Sequence, residues 1–284
     1  MSKKLLHLKN DIIFKMLFAD PKNKDILRDF LSVVIDLPEE EYDVIEIIDP
    51  HLRVSYADEK LGILDVHIKT KSSHQIDVEI QVSRTPYVRE RIAGYAGKML
   101  GTQLFVGEKY VEMKKVVSVI ILDYNLIKDS DCFHNTYMLY DAKTQSLFTD
   151  IMEIHTLELK KLSQAINGIN TTGEHDEKLE KLILWLSLIN AENEEEINML
   201  ATKDPYIKEA CRVLGALSDS EEVRLLYESR EKAIRDEQAR LYVARRDGME
   251  ESATNIAKTM RSKGYPIGAI HECTGLSESV ILSL

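Results

Sequence analysis

Residues 76–82 read IDVEIQV, apolar and polar in strict alternation, which is the period of a strand with one covered face. The polar side of that strand carries Asp77, Glu79 and Gln81, and the apolar side Ile76, Val78, Ile80 and Val82. Just upstream, GILDVHIKT (62–70) alternates in the same way, with Leu64, Val66 and Ile68 on one side and Asp65, His67 and Lys69 on the other. The SSH between the two runs fits a loop tip, so the pattern predicts an antiparallel hairpin with Asp65 on the face that bears Glu79 and Gln81. YDVIEIIDPHLRVSY (42–56) reads as a further strand before it.

The period changes elsewhere. NDIIFKMLF (10–18) has Ile13, Phe14, Leu17 and Phe18 on one helical stripe, with Asn10 or Asp11 as cap. A second helix, KDILRDFLSVVID, is expected to stop before Pro38. After Pro86, YVRERIAGYAGKMLGTQL is helical in pattern, and KKVVSVIILDY is the continuous apolar run of a strand buried on both faces. TYMLYD and LFTDIMEIHTLEL add strands that end near Leu162. From Asp176 onward the chain is helical, with a long charged run from Ser220 to Arg246 and a tail that KGYP and CTGLS divide into three short helices, resembling a helix-turn-helix. The expected organisation is an α/β domain over 1–162, a helical region over 163–247 and a small helical element over 248–284.

Composition narrows the class. With 284 residues, 44% apolar and 30% charged, collagen-like, disordered and disulfide-scaffold readings fail. Cys132, Cys211 and Cys273 are scattered and show no CxxC spacing, which fits a reducing cytoplasm. Lys9, Asn10 and Asp11 interrupt the N-terminal apolar run that a signal peptide needs, and no stretch reaches the roughly 18 apolar residues of a membrane helix. The formal charge is −11, yet residues 1–125 hold 18 Lys and Arg against 20 Asp and Glu, so the acidity is mostly C-terminal. Arg84, Arg89, Arg91 and Lys98 stand against Glu90 alone, a local basic patch able to meet phosphates. Binding through so local a patch is expected to weaken steeply with salt.

The hairpin supplies candidate chemistry. Side chains two apart on a strand project the same way about 7 Å apart, so Glu79 and Gln81 can flank one site, with Asp65 facing them from the neighbouring strand. Mg²⁺ takes one or two protein carboxylates and keeps waters and phosphate oxygens. Asp65, Glu79 and the backbone carbonyl of Ile80 meet that requirement. Read from residue types alone, the row is more readily a solvated sheet surface than a catalytic one, and Asp77 is expected to be a solvated or supporting carboxylate. His67 and His74 are expected to be structural or exposed. Asp11 as a mere cap, and Arg91 and Tyr95 as a local helical pair, remain open beside their functional readings.

The pattern D-x(13)-E-x-Q on a hairpin, preceded by NDIIFKMLF and followed by ERIAGYAGKMLGTQLFVGEKY, with IHECTGLS in the tail, resembles the PD-(D/E)XK nuclease superfamily. Within it the similarity is to the Rpn recombination-promoting nucleases, also described as transposase-like. The resemblance implies a restriction-endonuclease-like core, a mixed sheet flanked by helices, followed by a helical C-terminal region. It implies Asp65 and Glu79 as acidic metal ligands, with Asp11 as the helix acid that completes the site and Gln81 where many relatives carry lysine. Lys15, Arg91 and Tyr95 match family positions. An amide orients and hydrogen-bonds but brings no charge, so Lys15 or Lys69 is left to supply the missing positive charge. The function implied is Mg²⁺- or Mn²⁺-dependent hydrolysis of DNA phosphodiesters in recombination, mobile-element movement or defence, by a chain expected to form a homodimer. Arg84, Arg89, Arg91, Tyr95 and Lys98 are the expected DNA contacts. The competing reading is an inactive nuclease fold that binds DNA or assembles, with Gln81 as a mark of decay.

Overall fold

The computed structural model describes residues 5–49, 64–103, 109–172 and 176–284. Helix α1 (Asp11–Phe18) starts where the Asn10 side chain accepts from the Ile12 N–H at 3.1 Å, which settles the cap on Asn10. Its stripe of Ile13, Phe14, Leu17 and Phe18 is buried as the spacing predicts. Helix α2 (Lys24–Val34) stops four residues before Pro38.

The strand expected from Tyr42 begins later. Glu39–Asp43 is a 3₁₀ turn, and the Tyr42 hydroxyl is buried against the end of α2, donating to the Ile35 carbonyl at 3.0 Å. Among the described residues before 50 only Glu46–Ile47 (β1) forms a strand, and residues 50–63 of the expected strands lie outside the described residues. Strands β2 (Val66–Lys69) and β3 (Gln75–Gln81) pair antiparallel, as the alternation predicts, with Val66 opposite Val78 and His67 opposite Asp77.

Glu41 braces the turn of this hairpin. Its carboxylate accepts from the Thr70 hydroxyl at 2.7 Å, the Ser72 N–H at 3.0 Å and the Ser72 hydroxyl. Burial pushes the Glu41 carboxyl up, but the hydrogen bonds from Ser72 and Thr70, with the nearby His74, bring it down to about 2. The unfolded chain lacks those donors. The stabilisation is therefore full above the ordinary carboxylate range and fades as pH falls towards 2. Glu41→Ala is expected to lower unfolding stability by about 2 kcal/mol at neutral pH. Urea titrations should show the gap between the two proteins narrowing below pH 4.5, the ordinary value for this carboxyl.

Helix α3 (Val88–Gly101) leads to β4 (Val116–Leu122), every residue of which is buried, and then to β5 (His134–Tyr140) and β6 (Leu147–Glu158). The sheet order is β1-β2-β3-β4-β6-β5, with β3, β4 and β6 mutually parallel. Period 2 divides its residues between two covered faces. One face presents Val66, Ile68, Ile76, Val78, Val117, Val119 and Ile121 to the main core, which α1 and α2 share. The other carries Ile120 and Leu122, packed on Val88 and Ile92 of α3, and Val116, packed on Met99 and Leu64. Asp77, Glu79 and Gln81 belong to this second face.

Helices α4 (Leu162–Thr172), α5 (Glu177–Asn190), α6 (Glu194–Leu200) and α7 (Pro205–Asp219) follow the sheet. Members of α5, α6 and α7 join the same core as α1 and α2. Trp185 of α5 is fully buried among Phe18 and Phe30, and its indole N–H donates to Asp29 at 2.9 Å. The long helix α8 (Glu221–Ser262) runs past Arg246, so the first of the three short tail helices is its continuation. The chain divides into two compact units, 1–227 and 228–284. In the second, α9 (Ile267–Thr274) and α10 (Glu278–Ser283) bury Ile270 and Ile281 with Ala257. Gly275, at φ +72°, closes α9 in the left-handed conformation that favours glycine.

Candidate active site

The second sheet face brings Asp65 and Glu79 together. Asp65 lies one residue before β2, and continuing the register of Val66 with Val78 sets it opposite Glu79. Its Oδ2 accepts from the Ile80 N–H at 3.2 Å, which fixes the carboxylate against the C-terminal end of β3. A strand residue's N–H and C=O point to the same side, so the Ile80 carbonyl also faces the Asp65 edge. Lys15 of α1 places its ammonium 2.9 Å from Asp65 Oδ1. Lys69, the other candidate cation, sits at the far end of β2 opposite Gln75. Asp11 is the first residue of α1, one turn before Lys15.

Glu79 is 6% exposed, and Gln81 donates its amide to Glu79 Oε2 at 3.1 Å. The Gln81 carbonyl oxygen accepts from the Tyr124 hydroxyl at 3.3 Å, so the amide is gripped at both ends. Tyr124 escaped the sequence analysis because it lies in a loop. The parallel register of Gln81 with Leu122 is what brings the end of β4, and Tyr124 after it, beside the end of β3. Burial pushes the Glu79 carboxyl up to about 7, and the charge of Asp65 adds to the rise, against the Gln81 hydrogen bond and the positive charges of Arg91 and Lys15.

Asp77 is not solvated. It is 1% exposed, and neither of its carboxylate oxygens has a hydrogen-bond partner among the described residues. The helices on this face explain the difference, since alternation marks polar positions but not whether their side of the sheet is covered. Burial, then the charges of Glu79 and Asp65, push its carboxyl well above the usual range. His67 is structural as expected, buried with its ring against the Asp49 carbonyl at 3.1 Å and the Gln75 side chain at 3.2 Å. His74 is half-buried near Glu41.

The basic patch divides. Arg91 is half-buried, its charge acts on both Glu79 and Tyr124, and Arg84 is exposed and acts on Tyr124 as well. Arg89 donates to the Leu126 carbonyl at 3.1 Å, and Tyr95 packs with Met99, Leu64 and Val116. Lys98 is half-buried further along α3.

The residues fit a hard cation. The Lys15 ammonium on Asp65 stands in for a positive ion at that carboxylate, and Glu79, raised first by burial and then by the charge of Asp65, faces it with a second oxygen donor. Among the described residues no three histidine, cysteine or carboxylate side chains gather closely enough to share an ion.

A family model described as PD-(D/E)XK nuclease family transposase matches residues 8–244. The chain belongs to this family. No curated protein and no solved structure matches it. The mixed sheet flanked by helices and followed by a helical region is the fold of a PD-(D/E)XK nuclease. Membership supports a nuclease-type function on DNA, and such nucleases generally use divalent metals. Among the described residues no helix is long and apolar enough to cross a membrane.

Proposed function

We propose that this PD-(D/E)XK family member is a Mg²⁺- or Mn²⁺-dependent DNA endonuclease, with Asp65, Glu79 and the Ile80 carbonyl holding the metal. The observation that carries the reading is the convergence of two carboxylates on opposite register positions of one hairpin, close enough that the charge of Asp65 raises Glu79. A divalent cation supplies Lewis-acid polarisation of the scissile phosphodiester and a more acidic water.

The chain's own residues then divide the remaining work. Lys15 is paired with Asp65 and would supply the positive charge for a bound phosphate, which is the role left open by glutamine at position 81. Gln81, steadied by Tyr124, orients Glu79 through its amide. Asp11 on α1 is the acid nearest in sequence to Lys15 and completes the helix side of the site. Arg84 and Arg91 meet the DNA backbone, with Arg89 and Lys98 extending the track along α3. Tyr95 is turned to the apolar cluster, which leaves it a packing role. One centre cuts one strand at a time, so a homodimer would cut both. Recombination, mobile-element movement and defence are the processes such chemistry serves.

The test is nicking of supercoiled plasmid by the purified full chain. Cleavage that requires Mg²⁺ or Mn²⁺ and stops with EDTA supports the reading. DNA binding with no cleavage under any divalent metal would instead favour an inactive fold, consistent with the absence of a lysine at position 81.

A further inference from the structure

The opposite face of the sheet holds a chain of polar groups that the nuclease reading does not use. Glu153 and His155 of β6 are register partners of Val117 and Val119, so they project towards the main core, on the side away from Glu79. His155 is 3% exposed. Its Nε2 lies 2.5 Å from Glu153 Oε1, and the other Glu153 oxygen lies 2.5 Å from the Lys115 ammonium. Across the ring, Nδ1 is 2.8 Å from Nε2 of His134 on β5 and 3.3 Å from the Thr136 hydroxyl. An ionised carboxylate only accepts, so Glu153 holds the proton of a neutral His155 on Nε2 and leaves Nδ1 as a lone pair.

These groups wall a cavity of about 500 Å³, which Val33 of α2 and Leu182 of α5 also line. A plain core network accounts for the hydrogen bonds but not for the cavity or its charge. The lining carries Asp36, Asp150, Glu153 and Asp176 against Lys115 and Lys178, a negative excess that favours a cation. A carboxylate behind one ring nitrogen is the arrangement in which histidine serves a metal, because it fixes the ring and makes the other nitrogen a better donor. Imidazole suits Zn²⁺, Ni²⁺ and Cu²⁺, whereas Mg²⁺ and Mn²⁺ take oxygen. An ion about 2.0 Å from each nitrogen needs the two roughly 3 Å apart or slightly more, so a turn of the half-buried His134 ring exchanges the shared proton for a metal.

We propose that His134 and His155 form a site for a nitrogen-preferring transition-metal ion of the Zn²⁺ class, with Glu153 orienting His155 from behind. No third histidine, cysteine or carboxylate joins them closely enough among the described residues. The remaining positions therefore fall to water from the cavity, steadied by the Thr136 hydroxyl, and stay open to exchange. The site lies across the sheet from the hairpin carboxylates and does not depend on their role.

The experiment is calorimetry with Zn²⁺ on the untagged full chain, stripped with EDTA and exchanged into excess Mg²⁺ to occupy oxygen sites, with Co²⁺ visible absorption as a second readout of nitrogen ligation. Wild-type protein is expected to bind one Zn²⁺, which displaces bound Co²⁺. His134→Gln changes a half-buried residue on the cavity wall, so the protein is expected to stay folded and to bind Zn²⁺ at least tenfold more weakly. Glu153→Gln keeps both imidazoles, and is expected to weaken Zn²⁺ about tenfold while the Co²⁺ bands keep their positions. Asp65→Asn should leave Zn²⁺ affinity unchanged. No Zn²⁺ bound by wild type, or a folded His134→Gln protein with wild-type affinity, overturns the site. Zn²⁺ binding that is lost in Asp65→Asn and kept in His134→Gln also overturns it, and assigns the ion to the hairpin. None of these results alters the plasmid-nicking test, so this site and the nuclease centre fail separately.

Discussion

Glu79→Gln is expected to lower the initial rate of Mg²⁺-dependent plasmid nicking by roughly 10³-fold, about 4 kcal/mol of transition-state stabilisation. The substitution keeps the shape of the side chain and removes its charge. Glu79 is buried, faces Asp65 and accepts from Gln81, so its carboxylate is the group best placed to share a cation with Asp65. Glutamine in its place ends the repulsion with Asp65, and the melting temperature of the metal-free protein should hold or rise. Activity and stability are therefore expected to move apart, which a merely structural role would not produce. Asp65→Asn should be equally inactive but less stable, because it also loses the ion pair with Lys15. Nicking by Glu79→Gln within tenfold of wild type, in a folded protein, would remove Glu79 from the centre.

The strand pairing behind this expectation was readable in the sequence. Two alternating runs and a short polar loop fix the parity of the pairing, which puts Asp65 on the face of Glu79, and the fold then sets the two directly opposite. What lay over the polar face was less legible. Asp77 alternates like a solvent-facing residue, yet its neighbour β4 reads VVSVIIL, apolar at almost every position, which signals a sheet covered on both sides. Extending that signal sideways to β3 would have predicted a buried Asp77. The Lys15 contact depends on how α1 docks, and the Tyr124 contact on where a loop lands, neither of which leaves a local trace. The tail shows a different failure. The charged run was expected to end at Arg246 with a separate short helix after it, but one glycine costs an exposed helix only about 1 kcal/mol relative to alanine, and α8 continues through Gly248 to Ser262.

Metal affinity is expected to rise by nearly tenfold from about pH 5 to pH 6, by less from pH 6 to pH 7, and to level off above. The Glu79 carboxyl stands at about 7 in the folded protein against 4.5 ordinarily, raised first by burial and then by Asp65. Between those values the metal-free folded chain holds a proton that the unfolded chain has lost. Its stability therefore falls as pH rises through this window, and the loss is complete above about 7. Asp77, pushed up by the same burial, adds in the same direction. A cation needs the ionised carboxylate, so binding below pH 7 must expel the proton. The Mn²⁺ dissociation constant should consequently be roughly 50-fold weaker at pH 5 than at pH 7 by one-proton linkage alone. Calorimetry in buffers of different ionisation enthalpy would detect the released proton directly, and Glu79→Gln should flatten the slope. The two stabilities then cross: the metal-free protein is expected to melt highest on the acid side, and the metal-loaded protein near or above neutrality. An affinity that is flat across this window would show that the cation does not displace the Glu79 proton, and would move the metal away from this hairpin.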